Sequence, residues 1–454
     1  MSGVAPSARF YQHGWQSWSA TGWRPVDRPV RHPLVEDHLR QATDPARIGG
    51  RPGGSAVGAI ETGSGEVELL GALDLDGWVW LDDGRLTGDG AGEWFTFRGP
   101  ESEALAAYAR RLGDRFGTRR RESGPVWCSW YSFFRDISEP ALLSVLSDLG
   151  TLPFSTFQID DGWQRSNGDW QANAKFPSGM EAFADRIAIE GRTPGLWLAP
   201  FLADADSALV ARFPQMLLRD EDGAPLVGAR NWGGDTYVLD VGRDDVLEWV
   251  ADLTLTVVGW GYHYLKLDFL YAPALPTSSV DERPREVLYR RALESIRAAA
   301  GDDIYLLACG APIVASLGVC DAIRVGPDAA PFWDNLDRTL HLADRAGPGA
   351  ADAITTSLGR YWLRDLIEID PDVAYFRSKY CLLDKAQRRQ TQRLADVCGF
   401  RATSDPPAWL ESEELGELEV FLERRPAVRQ MARYRFDVGG EDVDFTDVAE
   451  SRPW

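Results

Sequence analysis

The stretch His263-Tyr264-Leu265-Lys266-Leu267-Asp268-Phe269-Leu270 has the length and the branched and aromatic content of a buried β-strand. Two charges interrupt it. Lys266 and Asp268 are two apart, so they point to the same face. A buried ionised carboxylate is costly unless it is paired. Lys266 is a candidate partner, and a nearby cation favours the charged form of Asp268. A structural ion pair at the end of a core strand fits this stretch equally well, so the rest of the chain must decide.

Around this stretch, strand and helix patterns alternate. Val126–Phe134, Phe154–Asp160, Thr193–Pro200, Ile304–Ala308, Ala322–Val325 and Tyr361–Ile369 read as strands. Ser138 can cap a helix that ends at Gly150, and Asp245–Val257 and Asn335–Ala346 suit helices. Arg283–Ala300 places Val287, Ala292, Leu293 and Ile296 on one face before Gly301. Alternation without a glycine-rich dinucleotide fingerprint predicts the α/β class, as a closed (β/α)8 TIM barrel over residues 126–405. Residues 1–100 read as a small N-terminal β domain, with strands at Val57–Glu61, Val67–Leu73 and Trp78–Leu81 between Gly and Asp turns. Residues 101–125 are a helical connector, with Leu105, Tyr108, Leu112 and Phe116 at helical spacing. Residues 406–454 form a short C-terminal, β-containing region: a helix over Leu415–Arg424 and a hairpin over Tyr434–Phe445 turning at Gly439-Gly440.

Composition narrows the function. The length of 454 residues suggests about three domains, and 44% apolar residues can fill a large core. A formal net charge of −21 repels phosphate backbones and anionic membranes, which argues against nucleic-acid or membrane partners. The five cysteines lack metal-ligand spacing, and the five histidines form no HExxH pair, so neither a metal nor another cofactor is expected. Met1-Ser2-Gly3-Val4 has no basic or apolar signal character, and no apolar run has membrane-spanning length, so the expectation is a cytoplasmic protein. The 18 tryptophans are the unusual number. Each is core by default, but several beside carboxylates suit the flat apolar face of a sugar ring.

Barrel chemistry sits at the C-terminal strand ends. Those ends carry Asp160-Asp161-Gly162-Trp163, Trp197, Asp268, Cys309-Gly310, Arg324 with Asp328, and Asp370-Pro371-Asp372. Any one Asp is explained as a helix cap or turn residue. Acidic residues at four strand ends are not. Two carboxylates across a site suit glycosidic cleavage, one attacking the anomeric carbon and one protonating the leaving oxygen. The adjacent Asp160 and Asp161 suit a different task, accepting hydrogen bonds from neighbouring sugar hydroxyls. Gly162 would let both reach one pocket.

The set Ile159-Asp160-Asp161-Gly162-Trp163-Gln164, Gly195-Leu196-Trp197-Leu198-Ala199-Pro200, Lys266-Leu267-Asp268 and Arg324-Val325-Gly326-Pro327-Asp328 resembles glycoside hydrolase family thirty-six. That family holds α-galactosidases and the raffinose synthase relatives. Trp127-Cys128-Ser129-Trp130 and Trp15-Gln16-Ser17-Trp18 add to the resemblance. It implies a retaining, double-displacement hydrolase of terminal α-galactosides, with Asp268 as nucleophile and Asp328 as acid/base. It further implies that Asp160 and Asp161 hold galactose hydroxyls and that Trp197, Lys266, Cys309 and Arg324 are pocket positions. Trp15 or Trp18 would close the pocket from the N-terminal domain; the sequence does not choose between them.

Two departures bear on the sugar and the assembly. Cys309 is followed by Gly310-Ala311-Pro312 where the family's α-galactosidases continue with Ser and Gly, and both flanking domains are short. The substrate expected is an α-galactoside oligosaccharide or glycoside; a homo-oligomer is left open. Alternatives are a transglycosidase or hydrolase of another α-glycoside on the same site, and a sugar-binding protein without catalysis.

Overall fold

The structure is a computed structural model that describes residues 8–33, 35–63, 65–277, 283–334 and 345–451. Eight parallel strands form the central sheet. They are β1 (Val126–Cys128), β2 (Thr156–Ile159), β3 (Thr193–Leu198), β4 (Tyr264–Leu267), β5 (Tyr305–Ala308), β6 (Ala322–Arg324), β7 (Glu368–Asp370) and β8 (Ala402–Thr403). Their spatial order is β7-β6-β5-β4-β3-β2-β1-β8. Past β7, the Ala374 N–H donates to the Ala402 carbonyl at 2.8 Å, which brings the two edges together as a barrel closes. Strands β2, β4 and β5 are buried at every position, as expected of parallel strands covered on both faces. The long helices Asp244–Gly259 and Arg285–Ala300 pack side by side outside β4 and β5. On the second of these Leu288, Tyr289, Ala292, Leu293 and Ile296 face inward. Val287, expected on that face, is 37% exposed.

Two expected strands are corrected. Val126–Phe134 is strand only to Cys128; a single helical turn, Trp130–Phe133, follows. Three residues bring the chain to the barrel rim, where the turn lets Tyr131 reach Asp372 and Trp130 reach the pocket. Tyr361–Ile369 begins as a 3₁₀ turn, Tyr361–Asp365, and only Glu368–Asp370 is strand. The aromatic run that mimics a strand there packs on the N-terminal domain, with Trp362 Nε1 donating to Tyr11 Oη at 2.8 Å. Most of the helix expected over Asn335–Ala346 lies outside the described residues, which resume at Arg345 in a turn; the reading of Met1–Val4 lies outside them as well.

The N-terminal region is a five-stranded antiparallel sheet and a three-stranded one. Val57–Glu61, Val67–Ala72 and Trp78–Asp82 are strands, close to their expected bounds. Helix Glu101–Phe116 buries Ala104, Tyr108, Ala109 and Leu112 against it. The C-terminal region holds helix Ser412–Glu423 and a three-stranded sheet, including the hairpin turning at Gly439-Gly440 with both glycines at positive φ. Arg433 ties this sheet to Glu61 and Glu101, each at 2.8 Å.

Candidate active site

A pocket of about 490 Å³ opens at the C-terminal ends of the barrel strands. It is lined by Trp18, Asp160, Asp161, Trp197, Lys266, Asp268 and Asp328 among others. Seven of the residues singled out from the sequence therefore meet at one surface. Cys309 and Arg324 lie behind it, and Trp15 lines a separate cleft.

Asp160 forms the pocket floor. Its Oδ2 accepts from Gln158 Nε2 at 2.7 Å, from Lys266 Nζ at 2.9 Å and from the Cys128 thiol at 3.6 Å. Burial pushes the Cys128 thiol up, so it stays protonated and can donate. Burial disfavours the charged form of Lys266, but the charges of Asp160 and then Asp268 outweigh it and hold the ammonium well above the ordinary lysine range. This corrects the expected pairing: the direct partner of Lys266 is Asp160, on the neighbouring face of the pocket, and not Asp268.

Asp161 stands beside it because the chain turns sharply at Gly162. That residue has φ +115°, and a Cβ there would come 2.7 Å from the Arg135 carbonyl oxygen, so only glycine fits. Asp161 Oδ1 accepts from Gln164 Nε2 at 2.6 Å, and Oδ2 from Trp232 Nε1 at 2.8 Å. Burial raises its pKa, against the pull of these two donors and of Arg135.

Asp268 follows β4. Its Oδ2 accepts from Trp197 Nε1 at 3.0 Å, and its Oδ1 from the Phe269 N–H at 2.8 Å. Phe269 adopts φ +52°, a conformation costly for a residue with a Cβ, and this turn aims its N–H at the carboxylate. Each carboxylate oxygen thus has one N–H donor, and the residue lines the pocket.

Asp328 is held differently. Its Oδ1 lies 3.3 Å from Arg324 Nη1, and 40% of its side chain is exposed to the open pocket. Desolvation and the nearby Asp372 charge push it up to about 6, with Arg324 and Lys266 opposing. Arg324 is shared: Asp372 Oδ2 lies 2.8 Å and Asp370 Oδ2 3.1 Å from it. Asp372 also receives the Ala329 N–H at 2.8 Å, which pins the segment that carries Asp328. Arg324 thus supports Asp328 from behind and does not reach Asp268 by hydrogen bond among the described contacts.

The N-terminal domain contributes one wall. Trp18 lines the pocket and packs edge-on to Phe269 at 5.2 Å and Tyr271 at 5.8 Å. Its Nε1 finds no acceptor among the described residues. Trp15 lies deeper, with Nε1 donating to the Arg40 carbonyl at 3.1 Å. Both tryptophans are buried, Trp15 3% and Trp18 7% exposed, and of the two it is Trp18 that lines the pocket. The loop is held by the Ser17 N–H donating to the Ala311 carbonyl, by the Ala311 N–H donating to Ser17 Oγ, and by Arg360, whose buried guanidinium donates to the carbonyls of Gly14, Gln16 and Ser19. Gly310 has a local reason: it has φ +56°, and a Cβ would come 3.0 Å from the Trp18 ring. Its Gly-Ala-Pro segment is where the N-terminal loop docks.

Sequence reasoning missed Trp232, Arg135 and Phe269, and the helix residues Asp37, His38 and Gln41, all of which line the pocket. Trp232 carried a usable signal, a tryptophan in the glycine-containing loop Asn231-Trp232-Gly233-Gly234. The polar helix Glu36–Ala42 carried none. Among the described residues no group of three His, Cys, Asp or Glu side chains is placed to hold a metal ion, and no helix is long and apolar enough to cross a membrane.

Comparison with known proteins agrees with this arrangement. The Melibiase family model matches residues 107–293. The chain is 31% identical over 207 residues to α-galactosidase 1 of Pediococcus pentosaceus, and 27% identical over 199 residues to α-galactosidase AgaA of Geobacillus stearothermophilus. These matches take in 42% and 40% of this chain but 27% and 26% of those proteins, so the chain matches about a quarter of the length of these curated relatives. The solved structure of AgaA with raffinose superposes with a TM-score of 0.63 at 16% identity, over 92% of this chain and 61% of that one, which speaks for the fold alone. The structure of TtGalA, an α-galactosidase from Thermus thermophilus in complex with p-nitrophenyl α-D-galactopyranoside, superposes with a TM-score of 0.91 at 48% identity. That match covers 98% of this chain and 91% of the other. With an α/β barrel, a small β domain and likeness along nearly its whole length to such an enzyme, the chain belongs to the α-galactosidases of glycoside hydrolase family thirty-six.

Proposed function

We propose that this protein is a retaining α-galactosidase that works by double displacement, with Asp268 as nucleophile and Asp328 as acid/base. The observation that carries the reading is the unequal treatment of two carboxylates in one pocket. Asp268 is oriented by two N–H donors, while Asp328 is pushed up to about 6 by desolvation and the neighbouring Asp372. A glycosidase of this kind needs such a difference. Asp328 gives its proton to the glycosidic oxygen as Asp268 attacks the anomeric carbon. A galactosyl ester forms and the leaving alcohol departs. Asp328, now a carboxylate, takes a proton from water, and that water breaks the ester with a second inversion.

Asp160, Asp161 and Lys266 are proposed to take the sugar hydroxyls, with the Trp18 Nε1 as a further donor. Asp160 and Asp161 each have both oxygens engaged, yet lone pairs remain for ligand hydroxyls. A site built on such pairings rejects a sugar epimer that leaves them unmet. The test is Asp268→Gly. It should lose turnover on α-galactosides, and azide should restore release as the β-galactosyl azide. Appreciable activity without azide would exclude Asp268 as nucleophile.

A further inference from the structure

The N-terminal domain holds a cavity of about 60 Å³ that shares no lining residue with the sugar pocket. Its lining runs against the character of the chain. In a protein of formal net charge −21, the wall carries Arg24, Arg31, His32, Arg47, Arg51 and Arg345. No Asp or Glu is among its described lining residues. Five guanidinium groups around one small space repel one another, and the repulsion grows where water is displaced.

Two of the five have carboxylates outside the wall. Arg47 pairs with Asp89 and Arg51 with Asp82, and the Arg51 guanidinium also lies 4.4 Å over the Trp80 ring. Arg24 and Arg345 are deeper, at 3% and 6% exposed. Arg24 donates to three neutral oxygens, Gln12 Oε1 at 3.2 Å and the carbonyls of Arg28 at 2.9 Å and Pro29 at 3.2 Å. Burial lowers its pKa to about 10, because neutral acceptors replace water poorly around a cation. A neutral donor belongs to the same wall. Trp78 is 5% exposed, and its Nε1 finds no acceptor among the described residues. Gly53, also in the lining, lies against that atom: a Cβ there would come 2.5 Å from it. A buried N–H without an acceptor is costly.

An anion with several acceptor oxygens answers both needs. Guanidinium forks match the oxygens of a phosphate, and such charge-assisted bonds are strong. Size agrees: about 60 Å³, against about 490 Å³ for the sugar pocket, has room for one tetrahedral oxyanion and none for a sugar ring. We infer that this cavity binds a phosphate group, as the free ion or on a phosphomonoester, through the guanidinium groups of its wall and the Trp78 N–H. Ala42 and Arg345 of this wall adjoin Gln41 and Ala346 of the sugar pocket in the chain. A bound phosphate therefore braces the N-terminal domain against the segment that follows Asp328. Such binding is independent of the catalytic reading, and its test needs no turnover.

The experiment is isothermal titration of the wild-type protein with sodium phosphate and, separately, with glycerol phosphate, at an ionic strength fixed with sodium chloride. One site per chain with Kd below about 1 mM is expected, not displaced by saturating galactose. Tm should rise with phosphate concentration. Tighter binding of phosphate identifies the free ion, and tighter binding of glycerol phosphate the ester; both support the site. Arg31→Ser combined with Arg51→Ser removes two charged donors at the surface, so binding should weaken at least about tenfold, with the fold checked by Tm in chloride. Trp78→Phe, which removes the N–H and keeps an aromatic ring, should weaken binding in the same direction. No heat beyond the chloride control, displacement by galactose, or full affinity in either variant overturns the inference.

Discussion

Lys266 Nζ lies 2.9 Å from Asp160 Oδ2, beyond the end of β2, while Asp268, two residues further along the chain and just past the end of β4, is held by Trp197 and the Phe269 N–H. The pair is buried, with side chains 7% and 3% exposed. Removing one member of such a pair strands the other charge and costs about 3–5 kcal/mol. Lys266→Met should therefore lower Tm sharply, and adding Asp160→Asn should recover much of the loss without recovering activity. Equal stability of the single and double variants, by thermal melts, would mean that the pair is not coupled.

Trp15 and Trp18 should separate by assay. Trp15 hydrogen-bonds to Arg40 in the domain interior, so Trp15→Ala should lose activity only in step with Tm, with large-to-small core changes costing about 3–5 kcal/mol. Trp18 faces the pocket, so Trp18→Ala should raise KM at temperatures where the fold is intact. Steady-state kinetics well below each Tm decide it; equal KM for the two variants would contradict the assignment.

The Asp328 carboxyl, pushed up to about 6, sets the sign of the pH profile. The proposed acid is protonated below that value and loses its proton as pH rises through it. kcat/KM should thus fall above pH 6, about tenfold per unit. Sugar covering the exposed part of Asp328 would desolvate it further, so the limb in kcat should lie higher than the limb in kcat/KM. In Asp328→Ala, on a substrate whose leaving group needs no proton, this limb should vanish. Its persistence there would assign it to another group.

Glu368 gives a stability test away from the pocket. Burial raises its carboxyl from 4.5 to about 8, although Tyr305 and the Ser123 N–H both donate to it. The folded-state pKa exceeds the unfolded one, so its contribution is fully present below the unfolded value and is lost as pH rises toward 8. Tm should fall between pH 5 and pH 8 by an amount that shrinks in Glu368→Gln. An identical pH dependence in the variant would show that Glu368 does not carry the effect.

The barrel was legible because β2, β3, β4 and β5 are apolar runs followed by a carboxylate, a proline or a glycine turn, a pattern that marks both strand and strand end. What failed was local. In Val126–Phe134 and Tyr361–Asp365, aromatic residues that favour strands are spent on a rim turn and on an inter-domain contact, and only tertiary packing distinguishes these cases. The short strand Ala402–Thr403 and the helices Ala350–Gly359 and Lys385–Cys398 went unread. The helix over Ala350–Gly359 is buried all round, so it lacks the one-sided stripe that reveals a surface helix. Of the pocket, residues at strand ends were readable. Residues supplied by the polar helix Glu36–Ala42, such as Asp37, His38 and Gln41, were not, because nothing in the order of the chain brings that helix to the barrel strand ends; Trp232 could be flagged as a tryptophan in a glycine-containing loop, but not as the partner of Asp161. The partner of Lys266 was misread for the same reason: proximity in sequence stood in for proximity across β2, β3 and β4.

The most direct test of the proposed mechanism is the anomer first released by the wild-type protein from a chromogenic α-galactoside, followed by proton NMR before mutarotation sets in. Two displacements, by Asp268 and then by water, predict that α-galactose appears first and β-galactose grows in later. β-Galactose as the first product would mean a single displacement by water, and would contradict Asp268 as nucleophile together with the paired role given to Asp328.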